Sequence, residues 1–237
     1  MMNSPIRILI HGATGRMGQA LLRLASGRDD LQVVAAVSRG KPAQRVIDRL
    51  PYFALSELHG VPAFDVAIDF SLPAGLDAVL ALCVERGVPL VSGTTGLAAS
   101  QQLALDAAAS RIPVLLAANF SLGVTVLGDL VERAATVLRA WDCDIVESHH
   151  KHKLDAPSGT ALALGVRAEQ GGAQPRYASL RAGDIVGEHT VQFTGPGERI
   201  ELVHRATSRD VFAHGALHAA VWLAGREPGR YRLRDML

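Results

Sequence analysis

The chain has 237 residues, 49% of them hydrophobic and 20% charged, enough for a sizeable core in one or two domains. Twenty-four Lys and Arg against 23 Asp and Glu leave a formal net charge of +1, so no bulk field draws nucleic acid or an anionic membrane. Two cysteines, Cys83 and Cys143, make no disulfide framework, and no apolar run reaches the roughly 18–20 residues of a membrane span. The start, MMNSPIRILI, lacks a signal peptide's charged flank and cleavage site. These features together predict a cytoplasmic enzyme or binding protein.

Residues 6–10 (IRILI) are short, β-branched and bounded by Pro5 and Gly12, which predicts a buried strand. Residues 15–26 place Met17, Leu21, Leu24 and Ala25 at helical spacing. Further strands are predicted at 33–37, 66–70, 89–91 and 114–117. Residues 73–86 read as a helix with Pro73 in the first turn and Gly87 as its cap, and 98–109 is an Ala-rich segment between strands. Strands alternating with helices of this length imply a parallel sheet covered on both faces.

After Asn119 the pattern changes. A long helix over 122–138 is followed by a strand at 144–148 and a helix at 158–169. Strand-like runs at 187–193 and 199–204 are joined through Gly195-Pro196-Gly197, a hairpin signal, and 210–223 returns to helix. The predicted fold class is α/β: an N-terminal Rossmann-like parallel-sheet domain plus an α+β domain with a mixed sheet. The expected boundaries are 1–120 with 209–237 for the first domain, and 121–208 for the second.

Gly12-Ala13-Thr14-Gly15-Arg16-Met17-Gly18 follows the first strand and opens the first helix. Glycine there permits a tight turn and brings backbone N–H groups near a pyrophosphate at the positive helix N-terminus. The spacing is G-x-x-G-x-x-G, and its place at the first βα junction favours a nucleotide site over an ordinary turn. A site for NAD usually carries a carboxylate at the end of the second strand, about 20 residues on. Here that position holds Ser38, followed by Arg39, a planar cation suited to a 2′-phosphate, with Arg16 nearby in the glycine loop. NADPH is therefore the expected cofactor, with NADH possible. Gly93-Thr94-Thr95 and Ala117-Ala118-Asn119-Phe120 end two further strands at the carboxyl edge where such ligands bind.

The densest chemistry runs from Glu147 to Thr160. Of the 24 basic residues 21 are Arg, and two of the three Lys, Lys151 and Lys153, sit beside His149, His150 and His152; the third is Lys41. Such cations repel one another unless they face an anion or titrate readily, and Lys can release a proton that Arg cannot. Downstream, Pro157-Ser158-Gly159-Thr160 starts a helix whose N–H groups and hydroxyls make an anion seat, which together with the cations suits a small dicarboxylate. The competing readings are a basic surface loop and a His-His-x-His metal site. The second is disfavoured because His149 and His150 would point to opposite faces of a strand, so no metal is expected. His11, His189, His204, His214 and His218 read as structural or solvated.

The sequence resembles the 4-hydroxy-tetrahydrodipicolinate reductase (dihydrodipicolinate reductase) family of the diaminopimelate route to lysine. The resemblance is carried over nearly the whole chain by GATGRMG at 12–18, DFSLP at 69–73, SGTTG at 92–96 and AANFSLGV at 117–124. ESHHKHKLDAPSGTAL at 147–162 and RAGDIVGEHTVQF at 181–193 are its most specific segments. It implies a two-domain reductase, usually tetrameric, that uses NAD(P)H to reduce the cyclic imine derived from 4-hydroxy-tetrahydrodipicolinate. It implies His149 as proton donor and acceptor, Lys153 as proton donor, and His150, Gly159 and Thr160 as carboxylate ligands. Gly12, Ala13, Thr14, Gly15, Arg16, Met17, Arg39, Gly93, Thr94, Thr95, Ala117, Ala118, Asn119 and Phe120 would hold the dinucleotide. Ser38 stands where the family often has an acid, and the chain looks short for the family between 41 and 55 and around 169–176. Two alternatives stay open: another two-domain NADPH oxidoreductase acting on an amino-acid-like carboxylate, and a non-catalytic NADPH-binding sensor.

Overall fold

A computed structural model describes residues 4–40 and 43–237, so Lys41 and the first three residues lie outside it. The chain divides into two compact units, one running up to Phe120 and including Phe212–Leu237, the other Ser121–Val211.

The first unit contains β1 (Ile6–His11), α1 (Arg16–Ala25), β2 (Leu31–Ser38), β3 (Val46–Ile47), β4 (Leu50–Ala54), β5 (Val66–Asp69), α2 (Pro73–Arg86), β6 (Leu90–Ser92), α3 (Ala99–Ala108) and β7 (Pro113–Leu116). The second contains α4 (Leu122–Val137), β8 (Asp142–His149), α5 (Gly159–Gln170), β9 (Pro175–Arg181), β10 (Gly187–Gly195) and β11 (Glu198–Ala206). Helix α6 (Asp210–Leu223) follows, and β12 (Gly229–Tyr231) completes the first sheet.

That sheet has the order β12-β7-β6-β5-β1-β2-β4-β3, parallel throughout except for the β3–β4 pair at its edge. Ile8, Leu9 and Ile10 are all fully buried, as expected of a central strand with both faces covered. Helix α2 starts on Pro73 and ends on Gly87 in the left-handed region at φ +66, as its sequence predicts. Its Leu76, Val79 and Cys83 pack with Leu9, Ala67 and Leu90 of the sheet.

The second sheet has the order β11-β10-β8-β9. β10 and β11 form the antiparallel hairpin signalled by Gly195-Pro196-Gly197, while β8 and β9 run parallel, joined through α5, so the sheet is mixed. Leu127 and Val131 of α4 and Ala161 and Leu164 of α5 pack on Cys143, Ile145, Val191 and Phe193. β8 therefore alternates strictly, with Cys143, Ile145, Glu147 and His149 buried on the face toward the helices.

Candidate active site

In the first unit β1 and β5 are neighbours, yet the chain between them passes through β2 and β4 on the far side of β1. Connections thus reverse direction at the β1/β5 boundary, the place where open parallel sheets bind ligands at the strands' carboxyl ends. A cavity of about 590 Å³ opens there, lined among others by His11, Gly12, Thr14, Gly15, Ser38 and Arg39.

The glycine loop is shaped by its own backbone. Gly12 and Ala13 both donate their N–H to the Val37 carbonyl at 3.0 Å, and Gly15 donates to the Gly12 carbonyl at 2.9 Å. Those N–H groups hold the turn and are not aimed at a ligand, so any phosphate contact falls to the start of α1. Gly12 has φ +80, and a Cβ on it would stand 2.4 Å from the Phe70 carbonyl oxygen. Gly18 lies so close to the loop that a Cβ would stand 2.3 Å from the Gly12 carbonyl oxygen. Helix α1 begins without a side-chain cap or an acid in its first turn, which leaves its positive end open to an anion. Arg16 is exposed and Met17 half-buried, both outside the cavity lining.

The other expected cofactor residues divide into those at the cavity and those within the core. Ser38 lines the cavity and donates its hydroxyl to the Gly40 carbonyl at 2.9 Å, and Arg39 is exposed on the rim. Gly93 is packed so tightly that a Cβ would meet the Phe70 ring at 2.2 Å. Thr94 is buried and donates to Asp69 Oδ2 at 2.8 Å, whereas Thr95 is exposed. Ala117 donates its N–H to the Ser92 carbonyl at 3.1 Å, and Ala118 and Asn119 remain at least partly accessible. The Phe120 ring is fully buried, 5.2 Å from the Phe70 ring, so only its backbone is suited to a ligand. Cavity size, the open helix end and the cationic rim fit a nicotinamide dinucleotide.

In the second unit the centre is a buried carboxylate. Glu147 is 1% exposed; its Oε2 lies 2.5 Å from His149 Nδ1, and Arg181 grips both carboxylate oxygens at 2.9 and 2.7 Å. Ser158 N–H also donates to Glu147 at 3.2 Å. Burial alone would raise the Glu147 carboxyl, but hydrogen bonds from Arg181, Ser179 and His149 hold it down at about 2. An ionised carboxylate only accepts, so His149 Nδ1 carries the proton and donates it, and Nε2 is the nitrogen left for other chemistry. That Nε2 lies against Gly187, where a Cβ would stand 3.0 Å away.

His189 stands edge-on to His149, ring centres 5.2 Å apart, with its Nε2 3.1 Å from Ser158 Oγ. Burial and the neighbouring His149 and His204 push its pKa down to about 4, so it is neutral near pH 7. The sequence reads His189 as structural or solvated; the structure buries it in the wall behind His149. The expectation that the Ser158 hydroxyl joins an anion seat is not met. Ser158 caps α5 by accepting from Ala161 N–H at 3.2 Å, and its hydroxyl faces His189. Gly159 is exposed and Thr160 half-buried at the helix's positive end.

The cations of the loop separate. Lys153 Nζ donates to Asp155 Oδ1 at 2.8 Å. His150 leaves the strand and lines a second cavity of about 540 Å³ with Lys151, His152, Gly183, Asp184 and Arg209. Desolvation, with Arg209 and His149 nearby, lowers the His150 pKa. Among the described residues no group of three His, Cys, Asp or Glu is arranged to hold a metal ion. Glu147 and Arg181 open the segments at 147–162 and 181–193, where residue type alone assigns them no role. The signal available was the period-2 alternation, which puts Glu147 on the His149 face of β8.

Residues 6–120 match the family described as "Dihydrodipicolinate reductase, N-terminus" and residues 123–237 its C-terminal counterpart. The chain belongs to the dihydrodipicolinate reductase family. It is 70% identical over 238 residues to the 4-hydroxy-tetrahydrodipicolinate reductase of Stenotrophomonas maltophilia (strain R551-3), covering 100% of both chains. To that of Xanthomonas campestris pv. campestris (strain B100) it is 66% identical over 237 residues, again with full coverage. The shortness expected as a departure from the family is shared by these relatives. The fold matches the solved structure of dipicolinate-bound dihydrodipicolinate reductase from Paenisporosarcina sp. TG-14 with a TM-score of 0.85 at 22% identity, over 98% of this chain and 100% of that one. As a family member the chain is an NAD(P)H-dependent oxidoreductase of the diaminopimelate route to lysine, and the sensor alternative is not favoured.

Proposed function

We propose that this reductase converts the cyclic imine derived from 4-hydroxy-tetrahydrodipicolinate to 2,3,4,5-tetrahydrodipicolinate, the reaction named for its relatives. The first unit would bind the dinucleotide and the second the substrate. When bound, reduced nicotinamide supplies a hydride, and the protein supplies the proton that completes the reduction. The observation that carries the reading is the Glu147–His149 pair. The buried carboxylate, braced by Arg181, fixes the His149 tautomer and leaves Nε2 to accept or return a proton at the substrate.

Lys153 is the proton donor. Its bond to Asp155 is at the surface of the loop, and it exchanges that partner for the substrate. The Gly159 and Thr160 N–H groups at the start of α5 and the His150 ring hold the two carboxylates, turning a bimolecular encounter into a positioned one.

NADPH is the preferred cofactor. In support, among the described residues lining the first cavity there is no carboxylate to repel a 2′-phosphate, and Arg39 supplies a cation. We read the assembly as a homotetramer; Leu180 and Val203 are exposed on the face of the second sheet opposite its helices. Both cysteines are free and buried, which accords with a cytoplasmic setting. The decisive assay follows NADPH absorbance with freshly generated 4-hydroxy-tetrahydrodipicolinate. Rapid oxidation is expected; tight NADPH binding with no oxidation of that substrate would overturn the assignment in favour of another amino-acid-like carboxylate.

A further inference from the structure

Two side chains handle the proton in the proposed reaction, His149 at the end of β8 and Lys153 in the loop that follows. One guanidinium is bonded into the surroundings of both. Arg181, the last residue of β9, is the register partner of His149 in the parallel β8–β9 pair. The strand ends are pinned there: Ala182 N–H donates to the His149 carbonyl at 2.9 Å, and Lys151 N–H to the Gly183 carbonyl at 3.2 Å. The half-buried Arg181 side chain makes four hydrogen bonds through its two terminal nitrogens. Nη1 donates to Glu147 Oε2 at 2.9 Å and to the Leu180 carbonyl at 2.6 Å. Nη2 donates to Glu147 Oε1 and to the Asp155 carbonyl, each at 2.7 Å. Nε is buried with no partner among the described residues, so the terminal fork carries the whole fit.

Those bonds lead in two directions. On one side the Glu147 carboxylate holds the His149 ring through Nδ1. On the other, Asp155 offers its carbonyl to Arg181 and its carboxylate to Lys153, whose Nζ donates to Oδ1 at 2.8 Å. Between the end of β8 and the start of α5 the chain is neither helix nor strand, so bonds of this kind hold its course. The contact at Asp155 therefore ties the Lys153 loop to the same cation that braces Glu147.

We propose that Arg181 is a positioning residue for the reduction: gripping Glu147 and the Asp155 carbonyl at once, it holds the Lys153 loop in register with the Glu147–His149 pair. It acts through protein groups alone. A guanidinium is a permanent cation and releases no proton near neutrality, so Arg181 takes no part in the transfer itself. Its planar fork serves a carboxylate along one edge and keeps a further N–H for the carbonyl. A lysine ammonium is a single point charge on a flexible stem; drawn to the carboxylate, it gives up the carbonyl. Displacing a reacting group by about 1 Å is enough to cost roughly 100-fold in rate, so a loop bond remote from the chemistry matters to it.

This inference rests on the reading of Lys153 as the proton donor, and the test separates the two. It is a double-mutant cycle, followed by NADPH absorbance with 4-hydroxy-tetrahydrodipicolinate. Arg181→Lys keeps Glu147 paired but loses the Asp155 carbonyl, and should lower kcat roughly 10–100-fold with the Kd for NADPH unchanged. In the Lys153→Ala background the same substitution should change kcat by less than about twofold, because the donor it positions is already gone. A role confined to general stability lowers kcat by the same factor in both backgrounds, and that outcome overturns the proposal. So does an Arg181→Lys protein with undiminished kcat. If Lys153→Ala by itself leaves turnover unchanged, the donor reading fails and takes the proposal with it. A measurement on the wild-type protein needs no variant to fold: by nitrogen-detected NMR, the Arg181 Nη protons should exchange with solvent far more slowly than those of the exposed Arg49. Equally fast exchange at both Arg181 nitrogens overturns the proposal.

Discussion

Each unit of the protein contains a buried carboxylate bonded to a histidine Nδ1, Asp69 with His11 in the first and Glu147 with His149 in the second. The two pairs differ in what else meets the carboxylate. Glu147 is gripped by the guanidinium of Arg181, whereas among the described residues Asp69 is met only by hydroxyls, one backbone N–H and His11. Arg181 already pairs with Glu147, so the carboxylate does not depend on His149 for its counter-charge. Asp69 has no such partner, so among the described residues the only titratable nitrogen bonded to it is that of His11. The same two residue types thus stand in different company in the two units, and the third partner, Arg181 beside Glu147, is what sets them apart.

The largest expected effect tests whether the second unit is the chemical one. Lys153→Ala should lower kcat by roughly 10²–10⁴-fold, the usual contribution of general acid catalysis, while leaving the Kd for NADPH unchanged. Steady-state kinetics and binding calorimetry check both halves, and unchanged turnover would remove Lys153 from the mechanism.

Next comes the contrast between the pairs. Glu147→Gln leaves the Arg181 guanidinium without its carboxylate and should cost about 3 kcal/mol of stability, in the range for breaking a buried ion pair. Asp69→Asn keeps an amide oxygen for its hydroxyl, backbone N–H and His11 donors and strands no guanidinium, and should cost distinctly less. Denaturant unfolding of the two variants side by side measures the difference, and equal losses would break the comparison.

The histidine behind His149 gives a pH test. His189 has a folded pKa of about 4 against an ordinary 6.5, so below pH 6.5 the unfolded chain binds the extra proton first. Stability should therefore fall as pH drops from 6.5 towards 4, by up to about 3 kcal/mol from this group alone. Glu147 acts lower on the scale: its contribution is fully present above 4.5 and is lost as pH falls towards 2. His189→Gln should flatten the upper window and leave the lower one, as read by thermal unfolding across pH.

The smallest effect concerns cofactor choice. Arg39→Ala should raise the KM for NADPH by about tenfold, the scale of one exposed charge-assisted contact, and leave that for NADH nearly unchanged. Equal shifts for both would place the 2′-phosphate elsewhere.

Much of this architecture was legible in the chain, and the exceptions have physical causes. Strands with continuous apolar runs, such as β1 and β5, and helices with clear start and stop residues, such as α2, were identified within a residue or two. The strands β3, β4, β9 and β12 were not. β9 is exposed along most of its length and shows no alternation, and β3 has only two residues, both exposed. Such segments are strands only because a neighbour offers unpaired backbone groups, and nothing in their own side chains encodes that. At the candidate site, the His/Lys loop drew attention through its residue types. The separation of His150 from His149 into different surroundings, and the use of the Ser158 hydroxyl within the wall, depend on how the chain leaves β8 and enters α5.

By itself the sequence determined the alternation of strands and helices, the glycine loop at the first junction and the family. It also placed the scarce lysines among histidines, because periodicity and residue chemistry are properties of adjacent positions. Only the tertiary structure decided which charges meet. His11 and Asp69, or Glu147 and Arg181, are far apart along the chain, and what each ionisable group does is set by burial and by partners that the fold brings within hydrogen-bonding distance.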